Sequence, residues 1–248
     1  GIERSVGAVP LGAMKFAKTS IAAKEENYHQ LMETLLAKFS ERCDAAGVRH
    51  TEFEMQGEPA EAILEESNYF DCVVVGLRTF FTYESGAGKD GEYGTADDEP
   101  GDSLEQIMKT TLAPVFAVPL NWKPDDHFSA LIAHNGSPHS MRALRQFARL
   151  YGRTQVSVSL MHCTDAADQS PEMLGKSAGF LRAHGFANVE ARTESGDIRD
   201  VMSADYCEPF DLVVLGAHGK SGVVEFFTGS LCKDLIERGN KPLLIANG

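Results

Sequence analysis

The sequence predicts an α/β fold: two doubly wound parallel-sheet domains in tandem, the first incomplete at its N-terminus. Three observations carry that expectation. The run Phe70-Asp-Cys-Val-Val-Val-Gly76-Leu77 returns 140 residues later as Phe210-Asp-Leu-Val-Val-Leu-Gly216-Ala217. Short Val-rich runs without alternation suit strands buried on both faces of a parallel sheet, and the closing glycine lets the chain turn sharply. Proline then opens a matching strand in each copy, Ala-Pro114-Val-Phe-Ala-Val and Lys-Pro242-Leu-Leu-Ile-Ala, at a first position where its missing N–H is tolerated. Finally, strand and helix patterns alternate, which implies right-handed crossovers.

The second copy, residues 127–248, reads as strand 128–134, helix 138–151, strand 155–162, helix 171–184, strand 187–193, helix 197–206, strand 211–216, helix 229–238 and strand 242–246. The first copy, residues 1–121, supplies a long helix over 24–46 ending at Gly47, a strand over 48–54, a helix over 58–68, and the two repeated strands. Residues 1–23 do not offer an opening strand and helix. The expectation is therefore an N-terminal piece of about 40 residues beyond those given, the size of one strand with its crossover helix. The closing strands 114–118 and 242–246 are apolar and would be exposed edges, so they are expected to pair the two repeats within the chain, with a homodimer as a further possibility.

Composition narrows the function classes. Hydrophobic residues at 43% and charged residues at 24% fit a globular chain with a core rather than a disordered one. A net charge of −13 argues against nucleic acid as a partner, because phosphate backbones are held by Lys and Arg clusters. Eight acids between Glu84 and Glu105 stand against Lys89 alone and carry seven of those thirteen charges. The insertion 84–102 reads as a solvated acidic loop in preference to a calcium site or a partner-docking loop. Five cysteines with no CxxC spacing read as reduced core thiols, and no apolar run is long enough to span a bilayer. A cytoplasmic protein without a membrane partner is the expectation.

The chemistry is concentrated after Gly216. Gly216, Gly219, Gly229 and Ser230 follow the spacing Gly, two residues, Gly, nine residues, Gly-Ser, between a buried strand and a helix. Small residues let the backbone approach a phosphate, and the amides of Gly229 and Ser230 at a helix N-terminus supply donors and the positive end of a dipole. Ser230 can also cap that helix. Gly219-Lys220-Ser221 is not a Walker loop, since position 214 is Val where the pattern needs glycine.

The run Gly216-Ala-His218-Gly219-Lys closing on Gly229-Ser230 resembles the signature of the ATP-binding branch of the universal stress protein family, whose fold is the adenine nucleotide alpha hydrolase-like Rossmann variant. The resemblance covers 127–248 in full and 24–119 more weakly, and it implies a tandem two-domain member. It places the ligand, ATP or else ADP or AMP, with magnesium as an optional companion, across the ends of the first, second and fourth strands. Carried over, it implies Ala133, His134 and Asn135 at the first strand's end, the Cys163 backbone against the adenine edge, and Leu215 on the base or ribose. Gly216, His218, Gly219, Gly229 and Ser230 would surround the phosphates, followed by Leu231 and Cys232. Asn135 stands where the family has aspartate; its oxygen still accepts from ligand hydroxyls but is a poor metal ligand.

The first copy has lost the cradle. Leu77-Arg-Thr-Phe-Phe81 follows Gly76, and Gly101-Asp102-Ser103 splits the closing pair with an acid that would repel phosphate. No nucleophile with a neighbouring general base is visible beside the second copy's cradle, so the reading is a nucleotide-responsive stress-response module with slow ATP hydrolysis at most. A purely structural interaction protein is the alternative.

Overall fold

The computed structural model describes residues 30, 32–52, 59–77, 104, 107–108, 111–119, 122–123, 128–152, 155–165, 170–217 and 230–246. Its chain divides into two compact units, Gly1–Gln56 and Gly57–Gly248. Unit boundary and repeat boundary therefore differ: the repeats, with the break expected near 121–127, join inside the second unit.

In the first unit, helix α1 covers 32–45 and stops at Gly47, which takes φ +66°. The Val48 and Gly47 amides return to the carbonyls of Cys43 and Asp44 at 2.8 and 3.0 Å, the double bond of a glycine-terminated helix. The strand expected at 48–54 is not formed over 48–52. Among the described residues it has no ladder partner, and a lone strand leaves its backbone groups to other bonds. His50 instead reaches back to α1, its Nε2 3.0 Å from Ser40 Oγ and its ring edge-on to Phe39.

The second unit is one seven-stranded sheet. Its strands are β1 (Val73–Gly76), β2 (Val115–Val118), β3 (Ser129–Ala133), β4 (Ser157–Cys163), β5 (Val189–Glu194), β6 (Leu212–Gly216) and β7 (Leu243–Ala246), in the order β1-β2-β7-β6-β3-β4-β5. All neighbours are parallel except β2 and β7, which run antiparallel with Phe116 opposite Leu244. That pair of closing strands joins the repeats within the chain, as expected.

The repeat is visible at the level of single bonds. Val73 N–H donates to Pro114 O and Leu77 N–H to Val118 O at 3.0 and 2.8 Å; Val213 to Pro242 and Ala217 to Ala246 repeat the arrangement at 3.0 and 2.9 Å. In both copies the proline only accepts, so its missing donor costs the ladder nothing.

Helices α2 (Pro59–Ser67), α3 (Pro138–Tyr151), α4 (Ser170–Ala183), α5 (Ile198–Val201), α6 (Ala204–Cys207) and α7 (Ser230–Arg238) flank the sheet. Strand alternation sorts its residues into two cores. Ala130, Ile132, Val214 and Leu244 pack with Ala143, Leu144 and Phe147 of α3 on one face; Leu131, Val213, Leu215 and Ile245 pack with Cys232 and Leu235 of α7 on the other. Each such fully buried aliphatic side chain contributes about 1.5–3 kcal/mol of transfer free energy.

The helix expected over 197–206 is two helices. Asp197 caps α5 by accepting from Arg199 N–H, and Ser203 caps α6 by accepting from Tyr206 N–H. A serine that bonds its own downstream amide offers the backbone an alternative to a continuous helix. The Met202 carbonyl exposed by the break accepts from Arg238 on α7, and Met202 itself is fully buried.

Candidate functional site

Strands β3, β4 and β6 end together, beside the first turn of α7, around a cavity of about 520 Å³. Open parallel sheets bind ligands at this edge, because crossover loops diverge where the strand order reverses. Here the reversal lies between β3 and β6, since β3 is followed in sequence by β4 on its other side.

Eight of the twelve residues singled out in the sequence line this cavity: Ala133, His134, Asn135, Cys163, Leu215, Gly216, Leu231 and Cys232. Ser230 opens α7. His218, Gly219 and Gly229, like the acidic insertion 84–102, lie outside the described residues.

The floor of the cavity is set by the β3–α3 turn. Gly136 takes φ +73°, a conformation that strains any residue with a Cβ, and Ser137 then caps α3 by accepting from Ser140 N–H. Asn135 Oδ1 accepts from Ser137 N–H at 3.0 Å. Its carbonyl thus holds the turn, which an aspartate could do equally, but no formal charge enters the site.

Gly216 has a packing reason of its own. A Cβ there would stand 2.6 Å from the carbonyl carbon and 2.7 Å from the oxygen of His139, so β6 and the first turn of α3 approach as closely as glycine permits.

His134 is 1% exposed. Its Nε2 lies 2.8 Å from Ser177 Oγ on α4, while Nδ1 has no partner among the described residues. Burial, joined by His162 and opposed by the Ser140 backbone, lowers its pKa from 6.5 to about 4, so the ring is neutral at physiological pH. His162 Nδ1–H donates to the His134 carbonyl at 3.0 Å, linking the ends of β3 and β4.

The two cysteines of the cavity are thiols, not thiolates. Burial, then Glu194 and Asp197, pushes Cys163 up to about 11; burial alone pushes Cys232 up to about 12 despite its place in the first turn of α7. At Cys232 desolvation outweighs the dipole that would lower the pKa, and the side chain packs.

One wall was not legible from the sequence. Thr164 and Asp165 after β4 face Gly196, Asp197 and Ile198 after β5, and Gly196 N–H donates to Asp165 Oδ1 at 2.9 Å. The signal available was Gly196 itself, at φ +108°, opening the segment before α5. The described lining carries these two acids and neither Lys nor Arg. Among the described residues no three His, Cys, Asp or Glu side chains are grouped to hold a metal ion, and no helix is long and apolar enough to cross a membrane.

No protein-family model and no curated protein matches this chain. Solved structures do. A universal stress protein from Archaeoglobus fulgidus DSM 4304 superposes over 98% of this chain and 81% of its own with a TM-score of 0.64, at 17% identity. A universal stress protein UspA from Lactobacillus plantarum covers 49% of this chain at TM-score 0.42 and 15% identity, and 99% of its own length. A universal stress protein in complex with cAMP covers 50% at TM-score 0.43 and 18% identity, and 98% of its own length. The first of these, spanning both repeats, shows that the chain has the universal stress protein fold.

Proposed function

We infer that this universal stress protein fold serves here as an adenine-nucleotide-binding regulatory module, with ATP or its ADP or AMP relatives held by the second repeat. One observation supports the reading above the others: the cavity at the ends of β3, β4 and β6 opens beside the N-terminus of α7, directly where the Gly216, Gly219, Gly229, Ser230 spacing closes. A phosphate chain directed at that terminus meets amide donors and the positive end of the helix dipole. The apolar Leu215 lines the same cavity, where the resemblance puts the base or ribose, and Leu231 lines it from the first turn of α7. With Asn135 neutral, magnesium would be held chiefly by the phosphate oxygens and would remain optional.

The module is expected to bind rather than turn over. Both cavity thiols are protonated at pH 7, and burial lowers the His134 pKa to about 4, which leaves its ring a weak base. Adding ATP at a hundred times its Kd stabilises by about 2.7 kcal/mol, which raises Tm by several degrees. Gly229→Val should abolish that rise, because the added side chain occupies the phosphate approach. If ATP, ADP and AMP all leave the wild-type Tm unchanged, the nucleotide reading fails and a structural interaction role takes its place.

A further inference from the structure

Building on the nucleotide reading above, we propose that Asp165 selects the base: its carboxylate accepts a hydrogen bond from the 6-amino group of adenine and so favours adenine nucleotides over those with oxygen at position 6. Charge sets the direction in which a nucleotide lies. β6 leads to α7, whose N-terminus attracts phosphate, whereas Asp165 and Asp197 line the cavity from the loops after β4 and β5. β3 lies between β6 and β4, so the ends of those two strands stand two strand spacings, about 10 Å, apart. Phosphates beside the two carboxylates would be repelled. Phosphates at α7 leave the acids to the other end of the ligand, which is the base.

Of the two acids, Asp165 is the one with an oxygen to spare. Its Oδ1 accepts from Gly196 N–H at 2.9 Å, which fixes the side chain between the two loops, and Oδ2 has no partner among the described residues. Asp197 Oδ1 is occupied: it accepts from the Arg199 amide at 2.9 Å and from Arg199 Nε at 3.0 Å, and it caps α5.

A carboxylate only accepts, so what meets it must donate. The adenine ring offers one donor, its 6-amino group, among ring nitrogens that accept. A base with oxygen at position 6 sets an acceptor against an acceptor there, and neither is satisfied. The cavity wall holds a further polar atom that the protein leaves unpaired. His134 is 1% exposed, and its Nδ1 has no partner among the described residues. Unpaired buried polar atoms are rare, and one in the wall of this cavity is an independent sign that a ligand completes the bonding here.

Isothermal titration calorimetry on the 248-residue chain compares AMP with IMP and ATP with ITP, pairs that differ in the base alone. In whichever pair it binds, the wild type should hold the adenine member about tenfold more tightly, the worth of one good hydrogen bond. Asp165→Asn keeps an oxygen for the Gly196 amide and turns an NH2 donor toward the cleft, so the preference should vanish or pass to the inosine member. The ratio within a pair is the quantity to follow, because loss of a negative charge strengthens both members alike and loss of structure weakens both alike. Equal binding of both members by the wild type, an unchanged ratio in Asp165→Asn, or a ratio that moves with Asp197→Asn instead overturns the assignment and leaves the nucleotide reading in place. Binding of none of the four refutes the nucleotide reading, and the role of Asp165 with it.

Discussion

His134 is the residue whose burial has the plainest consequence. Its pKa is lowered from 6.5 to about 4 in the fold, so between those values the unfolded chain binds a proton that the folded chain refuses. The associated stability is complete above pH 6.5 and is lost as pH falls toward 4, a change of about 3 kcal/mol. Urea unfolding across that range should show the slope, and His134→Gln, which keeps a group able to reach Ser177 but does not titrate, should flatten it. Gly216 makes a second case. The resemblance would explain a glycine there by nucleotide binding, yet the contact with the His139 backbone demands it even in the absence of ligand. Gly216→Ala should therefore destabilise the free protein by about 1–3 kcal/mol in chemical denaturation. An unchanged midpoint would mean that α3 shifts freely.

Elements were legible where local chemistry and tertiary burial agree. Helix α3 begins and ends as the sequence indicates because Ser137, Pro138 and Gly152 mark its limits and Ala143, Leu144 and Phe147 repeat at helical spacing. Replacing the cap, Ser137→Ala, should cost about 1 kcal/mol, read as a lower Tm. The expected strand at 48–54 failed for the opposite reason: a strand depends on a neighbour that no local pattern can supply, and over 48–52 side-chain bonds to α1 stand in its place. The split between α5 and α6 rests on Ser203, whose capping bond competes with the continuous helix expected over 197–206.

At the scale of the whole molecule, one antiparallel junction turns two repeats into a single sheet. Apolar closing strands opened by proline announced that junction, where Val115 and Ile245 lie opposite each other and are both fully buried. The cavity was half legible. Residues on strand ends follow from the repeat, whereas the Asp165 and Gly196 wall is built by two loops whose meeting depends on β4 and β5 being neighbours. β3, β4 and β6 converge on the cavity that the proposed function assigns to a nucleotide.

The central claim, that the second-repeat cleft holds an adenine nucleotide, is tested most directly on protein purified without added nucleotide, then denatured, with the supernatant resolved by chromatography and mass detection. Near-stoichiometric ATP, ADP or AMP from the wild type, and none from Gly229→Val, is the result expected. A wild-type supernatant free of nucleotide, from protein that also fails to take up added ATP, would contradict it.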